Sequence, residues 1–99
     1  MVTRGEFLEL QRGDVIVVPD PTGEKHWLIL SSTPILYPGR LVRQSILTRR
    51  HDQENITSVV WVPRQRGICH YVIEKHRFYW HEDLNRPDAV VRKNVFPAN

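Results

Sequence analysis

The sequence predicts a small, mainly β protein, and three observations carry that expectation. Apolar runs are short and rich in β-branched residues, Gly and Pro punctuate them at close intervals, and no segment keeps the period of a long amphipathic helix. A chain of 99 residues can close about one core, so a single domain is expected, with a lead-in over 1–11, a barrel over about 12–92 and a tail over 93–99.

Along the chain, Phe7, Leu8 and Leu10 suit a short helical turn or an extended lead-in, and Gln11 to Gly13 brings a turn. The first strand is expected at Val15 to Val18, stopped by Pro19 and Pro21 because proline supplies no ladder donor. Trp27 to Ser31 forms the second. Both runs are apolar at adjacent positions, so both faces need cover, which favours a closed or strongly curled sheet. Ser32 to Pro34 and Tyr37 to Gly39 read as loop. Further strands are expected at Leu41 to Thr48, Ile56 to Val62, Ile68 to Ile73 and, briefly, Ala89 to Val91. The piece from Glu74 to Leu84 fits neither period, because Phe78, Tyr79 and Trp80 are adjacent. Five or six short strands with at most short helical turns point first to an SH3-like β-barrel and second to an OB-fold.

Fourteen Lys and Arg against eleven Asp and Glu leave a formal charge of +3, a mild bias towards anions. The cations cluster at Arg40, Arg43, Arg49 and Arg50, then at Arg64 and Arg66, at Lys75 and Arg77, and finally at Arg92 and Lys93, which suits either solvated faces or a phosphate-binding surface. Cys69 is alone, no secretory signal is visible and apolar runs are far too short to cross a bilayer, so a cytoplasmic protein is expected.

One stretch raises a functional question. Between the first two strands, Pro19 to His26 places Asp20, Thr22, Glu24, Lys25 and His26 where a tight turn would suffice. It reads either as a solvated connection or as an active-site loop. The run Arg12-Gly13-Asp14, a strand, a Pro-containing loop, Lys25-His26 and then WLILS is similar to the opening of the MazF/PemK toxin family. SILTRR, ending a strand at Thr48, and SVVWVPRQRGI, from Ser58 to Ile68, are similar to later pieces of that pattern; Lys25-His26 stands where the family has Arg-Pro.

The resemblance spans roughly residues 11 to 68 and implies an SH3-like, dimeric endoribonuclease that cleaves single-stranded RNA without a metal or other cofactor and is held inactive by an antitoxin. Such cleavage needs a base for the 2′-hydroxyl, a cation for the phosphorane and an acid for the leaving 5′-oxygen. His26 suits either proton role, Lys25 can hold the phosphate, Thr48 can position a phosphate oxygen and Glu24 is a possible base, with Asp20 behind it. Arg43, Arg49, Arg50, Arg64, Gln65 and Arg66 are the candidate RNA-binding residues.

Two other groups stand out. Cys69, His70, His76 and His81 are zinc-ligand types, but their spacing matches no common zinc module, and no metal site is assigned. Phe78, Tyr79 and Trp80 sit among cations in KHRFYWH; they suit base stacking, core packing or an interface with a second copy or an antitoxin, and interface is the preferred reading. A non-catalytic nucleic-acid-binding or protein-interaction barrel is the alternative to the ribonuclease.

Overall fold

The structure, a computed structural model, describes residues 1–37 and 40–97, and of residues 33–37, 40–44 and 73 it describes the backbone alone. The chain opens with helix α1 (Arg4–Leu8), followed by β1 (Val15–Asp20), β2 (Gly23–Tyr37), β3 (Arg40–Arg50), β4 (Thr57–Val62), β5 (Gly67–Val72), β6 (Arg77–Trp80) and β7 (Val90–Arg92). Short 3-10 turns precede β5 and β6. The strands form one antiparallel sheet in the order β6-β5-β4-β3-β2-β1-β7, so the protein is mainly β, as its sequence predicts.

Three expectations change. The supposed loop from Pro19 to His26 is mostly strand: β1 runs on to Asp20, β2 starts at Gly23, and Pro21 and Thr22 alone make the turn. Pro19 is tolerated there because β7 covers β1 only along Val15 to Val17, leaving no ladder partner that needs its missing donor. Asp20 explains the turn's polarity, since its Oδ1 accepts both the backbone N–H and the hydroxyl of Thr22, at 2.8 and 2.6 Å. Those hydrogen bonds hold the Asp20 carboxyl below its ordinary pKa. Second, the expected loop at Ser32 to Pro34 lies within β2, where shifts of register between Ile29 and Ser31 and between Thr33 and Ile35 let the strand bend instead of ending. Pro38 and Gly39 lie outside the described residues. Third, the unassigned aromatic piece supplies β6, whose pairing with β5 brings the strand count among the described residues to seven.

One face of the curled sheet wraps the core. Ile16 and Val18 of β1, Trp27 and Ile29 of β2, Ile46 of β3, Val59 of β4 and Ile68 of β5 meet there. Helix α1 closes one side. Thr3 and Glu6 form a reciprocal capping box, and the helix sets Phe7 into the core beside Trp61, with ring centroids 6.2 Å apart. Leu84 and Ala89, from the segment between β6 and β7, complete the packing.

The two ends of the chain are tied at Asp14. Its carboxylate is 3% exposed as a residue and accepts the N–H groups of Gln11 and Asn94, both at 2.9 Å, together with the Lys93 ammonium. Burial acts to raise the Asp14 pKa, but these donors outweigh it and the carboxyl titrates below its ordinary 3.8. Next to it Gly13 adopts φ 96, and its carbonyl accepts Phe96 N–H at 2.9 Å; a Cβ at Gly13 would collide with the Phe96 carbonyl.

Asp14→Ala strands two backbone donors and should cost about 2–4 kcal/mol in urea unfolding. The wild-type advantage should be full above pH 3.8, the unfolded-state value, and fade as pH falls through the lower folded-state pKa. A loss under about 0.5 kcal/mol would show that the tie is incidental.

Candidate functional site

Strand alternation decides where the expected site residues go. In β2, Trp27 and Ile29 face the core, so Lys25 shares their concave side while Glu24 and His26 face the convex side. The adjacent pair Lys25-His26 is therefore split across the sheet. Lys25 Nζ lies 3.7 Å from Asp20 Oδ2 and 3.4 Å from Asp83 Oδ2, held between two carboxylates.

Thr48 also belongs to the interior. It is fully buried opposite Ile29, and its hydroxyl donates to the Leu28 carbonyl at 2.9 Å. In this arrangement the hydroxyl ties β3 to β2 and is out of reach of a phosphate. Arg50, opposite Trp27, makes a two-pronged pair with Asp52. Arg64, Gln65 and Arg66 occupy the turn between β4 and β5, at the far end of β4 from Thr57, and Gln65 Oε1 accepts the Cys69 thiol at 3.5 Å. They do not join Lys25 or His26. The side chain of Arg43 lies outside the described residues.

The convex side gathers a different set. His26 Nε2 is 3.2 Å from Glu24 Oε1, and Glu24 Oε2 accepts Arg92 at 3.4 Å. The His51 ring stands edge-on to His26 at 5.7 Å between centroids, and the backbone fixes that spacing because His51 N–H donates to the His26 carbonyl at 2.9 Å. Arg49, two residues before His51, projects from the same face of β3 and donates to the Gln53 carbonyl. Two imidazoles, a carboxylate and two guanidinium groups thus share one exposed face. Glu24, His26 and Arg49 were legible as candidates, and Arg92 as one of the clustered cations, whereas His51 was missed. The alternation of Arg49 and His51 past the strand end was a usable signal for it. Nothing in the sequence placed Arg92 beside Glu24, which it reaches across 68 residues through the β1–β7 pairing.

A second concave feature sits under the end of β6. A cleft of about 360 Å³ is lined by Trp27, Thr57, His70, Trp80, His81 and the Glu82-Asp83 pair. The His81 ring packs edge-on against Trp27 at 4.9 Å, and its Nδ1 accepts Leu84 N–H at 3.2 Å, which places the proton of the neutral ring on Nε2. Burial pushes the His81 pKa down to about 4, with Asp83 opposing and His70 adding to the shift. Tyr79 stacks on His70, while Phe78 and Trp80 are exposed on the edge strand, at 37% and 40%.

The Cys/His group does not converge on a metal. Cys69 is fully buried, and burial raises its thiol pKa; His76 turns to the Tyr71 hydroxyl at 3.2 Å. Among the described residues no three His, Cys, Asp or Glu stand close enough to hold a metal ion. Nor is any helix among them long and apolar enough to cross a membrane.

The His81 shift carries a definite sign. The folded state holds this ring neutral down to about pH 4 while the unfolded chain protonates it near 6.5, so stability falls as pH drops through that window. The full effect is on the order of 3 kcal/mol. His81→Asn, which can still accept from Leu84 N–H, should flatten the decline in urea-unfolding free energy between pH 6.5 and 4.5; an unchanged slope would mean that His81 does not govern it. Compared with protein-family models, curated proteins and solved structures, the chain matches none.

Proposed function

We propose that the protein is a metal-independent endoribonuclease acting on single-stranded RNA from its convex face. The observation that carries the reading is the His26–His51 pair, 5.7 Å apart, with Glu24 against His26 and Arg92 against Glu24. Imidazole can take and give protons near neutral pH, and two imidazoles flanking one phosphate supply both halves of the exchange. One removes the 2′-hydroxyl proton as that oxygen attacks phosphorus. The other protonates the departing 5′-oxygen, leaving a 2′,3′-cyclic phosphate and a free 5′-hydroxyl. Arg49 and Arg92 supply positive charge for the phosphorane, and Glu24 orients His26. Lys25 and Thr48 have no part in this version, because both are committed to the concave side.

A second reading is favoured by the β6 edge. Phe78 and Trp80 are exposed on a strand paired on one side only among the described residues, a surface that suits a protein partner. Under the ribonuclease reading that partner is an antitoxin or a second copy; without catalysis, partner binding is the function itself.

Purified protein should cut long single-stranded RNA equally with and without chelator, with a bell-shaped pH profile. His26→Ala and His51→Ala should each lower kcat/KM by about 10²-fold or more, while Lys25→Ala changes it little. Intact RNA with the wild-type protein overturns the proposal and favours the partner-binding reading.

A further inference from the structure

We infer that the groove formed by Leu28, Leu30 and Phe96 holds one base of a single-stranded RNA beside the phosphate that His26 and His51 flank. The inference rests on the reading of the convex face as a ribonuclease site and adds a base-holding subsite to it.

Strand register lays the groove next to that site. On the convex side of β2 the side chains of Glu24, His26 and Leu28 follow one another, each step covering about 6.6–6.8 Å. Arg49 of β3 and Val15 of β1 lie opposite Leu28, and Arg92 of β7 lies opposite Val15, so two arginines bracket Leu28 in one cross-strand row. The row beyond is open. Leu30 falls where the β2–β3 register shifts between Ile29 and Ser31, and such a bulge leaves its extra residue out of the ladder. On the other flank of β2, Gly13 N–H donates to the Ile29 carbonyl at 3.2 Å and brings no side chain. A groove of about 390 Å³ results, with Arg12, Gly13, Leu28, Leu30, Phe96 and Pro97 in its lining.

The tie at Asp14 sets the aromatic wall. Asn94 N–H is held by the Asp14 carboxylate and Phe96 N–H by the Gly13 carbonyl, both at 2.9 Å, so the segment that carries Phe96 is fixed against the strand before any ligand arrives. Phe96 is nevertheless 57% exposed, which leaves ring surface for a base to stack on.

The rim then selects the occupant. Apolar floor and ring alone would suit a protein side chain as well as a base. The cations decide between them. Arg12 and Arg49 have no ion-pair partner among the described residues, and Arg92 shares Glu24 at 3.4 Å. A strand that alternates flat rings with negative charges answers both the groove and its rim, whereas an apolar peptide would leave the arginines without counter-charge. Arg12, one residue beyond Gly13, stands at the end of the groove remote from His26, where it meets the next phosphate along.

The test is fluorescence-anisotropy titration of the full chain with a short 2′-O-methyl RNA, which lacks the attacking hydroxyl and so reports binding without cleavage, and with the matching abasic backbone. Phe96→Ala should weaken binding of the base-bearing oligomer about tenfold and leave the abasic one unchanged, while Phe96→Trp, which keeps a ring, binds the former like the wild type. Equal affinity of wild type and Phe96→Ala for the base-bearing oligomer overturns the inference, and so does an absence of saturation at millimolar concentration, which would give the groove to a protein side chain. Cleavage of unmodified RNA with the same KM in wild type and Phe96→Ala overturns it too, while leaving the ribonuclease standing. Base-dependent, Phe96-dependent binding without any cleavage supports the base-holding groove and removes the ribonuclease.

Discussion

The carboxylate of Asp14 is the constraint on which the arrangement rests. It stands at the entry to β1, and its three donors come from the turn before that strand and from the segment after β7. A buried carboxylate without donors would be expensive, so the chain ends must be present together for this residue to be buried at all. Once they are, β7 is held alongside β1, and Arg92 lands on the same convex face as Glu24. A tie near one edge of the sheet thereby reaches the candidate site.

The second organising fact is the two-residue period of a strand. Lys25 and His26 are neighbours in sequence and strangers in space. Lys25 joins Asp20 and Asp83 on the concave side; His26 joins Glu24, His51 and Arg92 on the convex one. The chemistry of RNA cleavage asks for proton donors and acceptors on one side of a phosphate, and the convex set pairs two imidazoles, one of them against a carboxylate and both on an exposed face. The same rule turns Thr48 inward, where its hydroxyl serves Leu28.

Around His81, the shape of the cleft and the stability of the fold draw on one group. Its ring is packed against Trp27, accepts a backbone donor from Leu84 and stays neutral well below the usual imidazole range. That neutral, half-buried ring and the Asn85 amide give the 81–85 turn its fixed shape, and the turn in turn carries Glu82 and Asp83 to the cleft. Acid conditions that charge His81 act against both the turn and the fold.

The sequence by itself determined that this chain builds a mainly β core. Short β-branched runs such as Val15 to Val18 and Val59 to Val60 bury themselves wherever the sheet curls, and the prolines and glycines between them allow no long helix. It also carried Glu24, His26 and Arg49 as candidates, because their side-chain chemistry is independent of fold. Tertiary structure alone decided their company. A proline inside β1 was legible as a stop signal, yet it is allowed because β7 leaves that part of the strand uncovered. Likewise Arg92 reaches Glu24, and Trp27 reaches His81, through pairings between distant segments. Local pattern encodes which face a residue takes, and only the pairing and curling of the sheet set which other faces it meets.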